Sequence, residues 1–130
     1  MPARKIDGHD ITPLLLGEKE ARSPTDAGGF FYYQIDQLQA VRSGPWKLYL
    51  PLKAKRAGLA AQRTTARLQL FNVREDVAEE REVSAQQPEV VQRLLKLAEA
   101  ARQELGDEGK AGAGQREAGL VSTPTARRMD

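Results

Sequence analysis

The chain's only histidine, His9, lies close to Asp7 and Asp10. These are the residue types of a His/Asp metal pair or an acid–base relay. A metal site needs three or four converging ligands, so a solvated turn is the simpler reading. A Ser/His/Asp triad would have to use His9, and no serine stands in a Gly-x-Ser-x-Gly elbow. The acidic run of Glu75, Asp76, Glu79, Glu80 and Glu82 could hold a cation, yet it lacks the alternating oxygen ligands and central glycine of a calcium loop and reads as a solvated connector. Lys53, Lys55, Arg56, Arg63 and Arg67 form the most basic stretch, with no acid among residues 53 to 67. Such a stretch suits phosphate or sulfate groups. It has no interleaved aromatic for base stacking and no phosphate-cradling glycine pattern.

Composition narrows the chemistry further. There is no cysteine, which removes disulfides, thiolate nucleophiles and cysteine metal sites and leaves the redox compartment unread. Twenty basic residues against 18 acidic ones leave a net charge of +2, too small to argue for nucleic acid. No run approaches the roughly 18 apolar residues of a membrane span. Met1 to Asp10 is polar and charged, unlike the apolar core of a signal peptide, so the compartment stays unknown.

The elements that must position these residues follow from pattern. With 130 residues, 40% hydrophobic, the chain has room for one domain with one modest core. Residues 1–28 hold Pro2, Gly8, Pro13, Gly17, Pro24 and Gly28 around an apolar run from Leu14 to Leu16, and read as an extended arm with one anchored turn. Phe30 to Ile35 is rich in β-formers, Asp36-Gln37 can turn, and Leu38 to Arg42 returns as the second strand of a hairpin. After a turn at Ser43-Gly44-Pro45, Trp46, Leu48 and Leu50 alternate with Lys47 and Tyr49, the period of a half-buried strand. Residues 53 to 67 read as a solvated loop, and Leu68 to Val73 supplies a fourth strand.

Pro88 stands where a helix N1 proline belongs, Glu89 favours the first turn, and Gly106 can end the helix. Between them Val90, Val91, Leu94, Leu95, Leu97, Ala98, Ala101 and Leu105 recur at three- and four-residue spacing, one apolar stripe that needs a surface to cover. The apolar face of a four-stranded antiparallel meander is the large candidate. The expected fold is therefore α+β: a small four-stranded antiparallel sheet with one C-terminal helix packed on it (29–106), preceded by the extended N-terminal arm (1–28) and followed by a flexible glycine-rich C-terminal tail (107–130). Alternating strand faces send only about half of Phe30, Phe31, Tyr32, Tyr33, Trp46 and Tyr49 toward the helix. The remainder form a surface patch, open to two readings: ordinary exposure, or an interface with another domain.

Read in order, Ile6-Asp7-Gly8-His9-Asp10-Ile11-Thr12-Pro13-Leu14-Leu15-Leu16-Gly17 resembles the segment that follows the catalytic domain in arylsulfatase-type sulfatases. Phe30 to Tyr33 and Leu38-Gln39-Ala40-Val41-Arg42-Ser43-Gly44-Pro45-Trp46-Lys47-Leu48 are similar to that family's aromatic strand and the strand pair that follows it. Leu70-Phe71-Asn72-Val73-Arg74-Glu75-Asp76 resembles its next strand and acidic connector, and Pro88-Glu89-Val90-Val91 the opening of its last helix. Phe71 and Asn72 stand where Tyr and Asp are common, and Val77 replaces a usual proline, all conservative at a strand end.

The resemblance implies the C-terminal domain of a sulfatase, a sulfuric ester hydrolase, with an N-terminal catalytic domain as its partner. Family chemistry uses formylglycine, made from Cys or Ser in Cys/Ser-x-Pro-x-Arg, beside calcium or magnesium, all in that larger domain. Two look-alikes in this chain fail: Ser43-Gly44-Pro45-Trp46-Lys47 has Lys for Arg, and Ser122-Thr123-Pro124-Thr125-Ala126 has Ala for Arg. The expectation is a supporting domain with no catalytic residue, metal ligand or cofactor of its own and no nucleic-acid or membrane partner. By analogy with family loops that border the substrate cleft, Arg56 and Arg63 are the candidate substrate-binding residues. The competing reading is a free-standing interaction module that uses the aromatic sheet face.

Overall fold

The computed structural model describes residues 8–52 and 67–115. Two single-turn helices, α1 (Thr12–Leu15) and α2 (Thr25–Gly28), precede strands β1 (Phe30–Gln34), β2 (Gln37–Ser43), β3 (Trp46–Tyr49) and β4 (Gln69–Asn72). Helix α3 (Pro88–Leu105) and a two-stranded hairpin, β5 (Gly106–Asp107) and β6 (Lys110–Ala111), complete the described chain. The first four strands pair antiparallel in the order β1-β2-β3-β4, a meander with α3 packed against it. The expected α+β architecture is therefore present.

Why the sheet forms is visible in its rows. Phe31, Val41, Leu48 and Leu70 lie across from one another on successive strands, and the last three are fully buried. Leu38, Leu50, Leu94, Ala98 and Ala101 close the same core, with Phe31, Tyr33, Trp46, Val90, Val91 and Leu97 packed at its edge. Each buried leucine contributes about 1.5–3 kcal/mol of transfer free energy, the main force holding α3 to the sheet. A bulge at Tyr32/Tyr33 skips Gln39 in the β1–β2 pairing. It reverses the alternation of β2, so that Leu38 and Val41 face α3 while Ala40, paired with Tyr32 and Tyr49, faces away.

The β1–β2 connection turns at Ile35-Asp36, one residue earlier than the pattern suggests, with Ile35 at φ +59 and Gln37 already paired to Gln34. Helix α3 starts at Pro88 and is capped by Gly106, whose N–H donates to the Arg102 carbonyl. Leu105 departs from the expected stripe and is 39% exposed, because the helix ends there and the chain turns into the hairpin.

The chain also does not loosen at Gly106. Ala113 and Gly114 N–H groups donate to the Gln103 and Glu104 carbonyls, and the Gln115 side-chain amide to that of Leu105, so residues 113–115 satisfy orphan carbonyls of the helix end. Backbone hydrogen bonds thus order a segment whose composition offers little to bury. The arm likewise contains two helical turns where an extended segment was expected, and Leu15 and Leu16 are largely exposed. Residues 116–130, with Ser122, lie outside the described residues.

Candidate functional site: the uncovered face of the sheet

One face of the sheet is covered by α3; the other carries two rows of unlike side chains. Tyr32, Ala40, Tyr49 and Gln69 form one row, and Phe30, Arg42, Lys47 and Phe71 the other. Ala40 and Phe71 are buried, at 1% and 6% exposure, yet neither belongs to the core cluster under α3. They are the floor of a second, smaller packing layer. Phe71 meets the Tyr49 ring edge-on at 6.0 Å, and Phe30 meets Tyr32 edge-on at 5.0 Å.

Lys47 is the centre of this layer. Its ammonium lies 5.1 Å from the centre of the Tyr32 ring and 4.6 Å from that of Tyr49. It donates to Glu79 Oε1 at 2.7 Å, while the Tyr49 hydroxyl donates to Glu79 Oε2 at 2.6 Å. Burial pulls the Lys47 pKa down, but the hydrogen bonds to Glu79 and Tyr49 outweigh it and the net shift is upward. A lysine kept this firmly protonated is unsuited to act as a base or Schiff-base nucleophile, which needs a lowered pKa. Its chemistry here is recognition and packing. The exposed remainder of the face is Phe30, half exposed, beside the solvent-facing Arg42 and the edge of Tyr32.

The connector from Arg74 to Glu82 is more than solvated chain. Glu79 reaches back to the sheet as described. Glu82 Oε1 accepts from the Leu70 and Ser84 backbone N–H groups at 3.0 and 2.7 Å, and the Val83 N–H donates to the Leu70 carbonyl at 2.9 Å. Together they occupy the free edge of β4, which would otherwise offer unpaired backbone to other chains. Asp76 folds the intervening turn by accepting from the Glu80 and Arg81 N–H groups.

Ser43, the first residue of the failed nucleophile look-alike, is 1% exposed. Its hydroxyl donates to the Asp26 carbonyl at 2.5 Å and accepts from Arg93 at 2.7 Å, tying α2, β2 and α3 together. It has a structural task and no path to a substrate. His9 is exposed, and among the described residues no three Asp, Glu or His side chains gather for a metal ion. The chain has no cysteine and no serine in Ser-x-Pro-x-Arg, the motif from which formylglycine is made. Arg56 and Arg63 lie outside the described residues. Their loop leaves and re-enters the sheet at neighbouring positions, since Tyr49 at the end of β3 pairs with Gln69 at the start of β4. A mixed-charge groove of about 490 Å³ opens beside Pro51, but its Arg102 is already engaged by Asp107 and Glu99. Among the described residues no helix is long and apolar enough to cross a membrane.

Sequence reasoning placed Glu79 and Glu82 only in a solvated acidic run and singled out neither Arg93 nor Asp107. Their partners are set by tertiary approach, and no spacing marks them. Comparison with known families gives the wider frame: the model of the C-terminal region of aryl-sulfatase matches residues 25–117. Comparison with curated proteins found no match. The chain belongs to the family of aryl-sulfatase C-terminal regions.

Proposed function

Taking the chain as a C-terminal aryl-sulfatase region, we propose that it is a supporting domain that completes a sulfatase catalytic domain and hydrolyses no ester by itself. The observation that carries this reading is the second sheet face. Helix α3 covers one side, and the other keeps Phe30, Arg42 and the edge of the half-buried Tyr32 toward solvent over a packed floor of Ala40, Lys47 and Phe71. An aromatic patch beside a cation is the composition of a docking surface. The catalytic domain that precedes such a region in aryl-sulfatases is the partner of matching kind.

The loop between β3 and β4 borders the substrate cleft in this reading, and Arg56 and Arg63 hold the anionic ester there. The test is turnover of a chromogenic aryl sulfate with calcium by the purified chain, run beside the same chain joined to its sulfatase catalytic domain. Activity confined to the joined protein is the expected result; turnover by the chain alone would overturn the reading. In the joined enzyme, replacing Arg56 and Arg63 by Ala raises KM about tenfold with kcat little changed, since each removes ground-state and transition-state binding alike. An unchanged KM removes the two arginines from the cleft without touching the supporting role. A monodisperse chain that captures a protein other than a sulfatase domain through Phe30 and Arg42 would favour the free-standing interaction module instead.

A further inference from the structure

Four of the eight exposed large hydrophobic side chains of the described chain lie in the arm. Leu15 and Leu16 are 77% and 71% exposed, Ile11 46% and Leu14 39%, and no residue of α1 is buried. These side chains are not on a loose tail. Asp10 Oδ1 accepts from the Thr12 N–H at 2.9 Å, Pro13 sits at the start of the helix, and Leu15, Leu16, Gly17 and Glu18 N–H groups all return to carbonyls within the turn. Glycine at position 17, with φ +68, closes it. The result is four large apolar side chains displayed on a hydrogen-bonded turn, the preorganised form in which little ordering entropy remains to be lost on binding.

We propose that this turn, Ile11 to Leu16, is the anchor by which the domain seats in an apolar socket on the sulfatase catalytic domain; this deepens the reading above and rests on it. The chain's own core cannot take these leucines, because the inner sheet face is already closed by α3. The turn precedes the matched residues 25–117, so it is the part of this chain nearest in sequence to the catalytic domain of an aryl-sulfatase. A short tether gives that surface an effective concentration of order millimolar, which no partner in solution matches. A rim of both signs, with Glu18, Glu20, Lys19 and Arg22, fits the polar border of a protein interface. It does not fit an anionic lipid surface, which calls for a longer helix with a basic face.

The experiment substitutes Leu15→Glu and Leu16→Glu together, in this chain and in the chain joined to its catalytic domain. Thermal unfolding, oligomeric state and the rate of protease cleavage between the domains are measured in each. In the chain alone the midpoint stays within about 2 °C, since both side chains are largely exposed there. In the joined enzyme the single unfolding transition splits in two and cleavage between the domains accelerates at least tenfold, while Leu15→Met with Leu16→Met behaves as wild type. A joined variant that still melts as one unit overturns the anchor. So does destabilisation of the variant chain alone, which would place the leucines in this domain's own packing. Concentration-dependent dimers of the wild-type chain that the substitutions abolish would also overturn it, by naming a second copy as the occupant. Failure of the supporting-domain reading looks different: the wild-type joined protein is then inactive or already melts in two independent steps.

Discussion

Gly106 offers a sharp test of how the C-terminal hairpin is held. It has φ +89 and ψ +170, a region open almost only to glycine, so alanine costs about 1–3 kcal/mol in backbone strain alone. An added Cβ would also stand 2.8 Å from the Gly112 nitrogen and press still harder on the Lys110 carbonyl. Both are backbone atoms and cannot rotate aside, so the hairpin must move. What it then loses is enumerable: Tyr33 hydroxyl to the Gly106 carbonyl at 2.9 Å, Leu38 N–H and Arg102 Nε to the Asp107 carboxylate at 2.9 and 2.8 Å, and Glu108 N–H to the Asp36 carbonyl at 2.7 Å. Relaxation trades strain against these bonds, each about 1 kcal/mol, which puts Gly106→Ala at about 3–5 kcal/mol. The internal reference is Gly44→Ala. Gly44 has φ +57 with nothing within 4 Å of its added Cβ, so only the left-handed penalty of about 1 kcal/mol applies. Urea unfolding followed by circular dichroism and by the fluorescence of Trp46, the only tryptophan, measures both. In a domain of about 100 residues the difference amounts to more than 8 °C in Tm. If Gly106→Ala falls within about 1 kcal/mol of Gly44→Ala, the hairpin is not clamped in the way described.

Three further outcomes follow from packing and charge. Leu94→Ala empties a fully buried position between α3 and the sheet and costs about 2–5 kcal/mol in the same urea assay. Burial pushes the Glu82 carboxyl up, but the Leu70 and Ser84 N–H groups outweigh it and hold its pKa below the ordinary 4.5. Its contribution is thus present above pH 4.5 and lost as pH falls through the folded value, and Glu82→Gln flattens that part of the acid limb of a stability–pH curve. At the other end, burial of Tyr33, aided by the Asp107 charge, raises its pKa above 10.0, and Lys47 lies above 10.5 for the reasons given earlier. Groups with raised folded pKa contribute fully below their unfolded values and lose that contribution as pH rises through the folded ones. The chain therefore weakens above about pH 10, and Lys47→Met makes that decline shallower.

The sheet and helix were legible because their residues repeat. Trp46, Leu48 and Leu50 at period two and Val90 to Ala101 at three and four residues state which faces must be buried, and Pro88 and Gly106 state where the helix starts and stops. The β2 bulge was not legible: Leu38, Ala40, Val41 and Ser43 are all buried, a pattern of no single period, because the skipped Gln39 lets one strand serve both faces. The exposure of Leu105 and the order of residues 107–115 leave no mark in composition, which weighs side chains, because residues 113–115 are held by hydrogen bonds to the helix end. The second sheet face was half legible. Its aromatics follow from alternation, whereas the Lys47–Glu79–Tyr49 knot joins residues 30 or more positions apart and leaves no periodic trace.

The pairing of Tyr49 with Gln69 has an evolutionary consequence. The chain departs from β3 and returns to β4 at adjacent points on the rim, with the free edge of β4 occupied by Glu82 and Val83. Whatever lies between those two points hangs from a closed gate. Lengthening such an excursion costs only about 0.6 kcal/mol per doubling, because closure entropy grows with the logarithm of length. Descendants of this domain can therefore lengthen, shorten or recharge the stretch between β3 and β4 while the scaffold beneath stays unchanged. Graftability at that junction, more than any residue now occupying it, is what the fold provides.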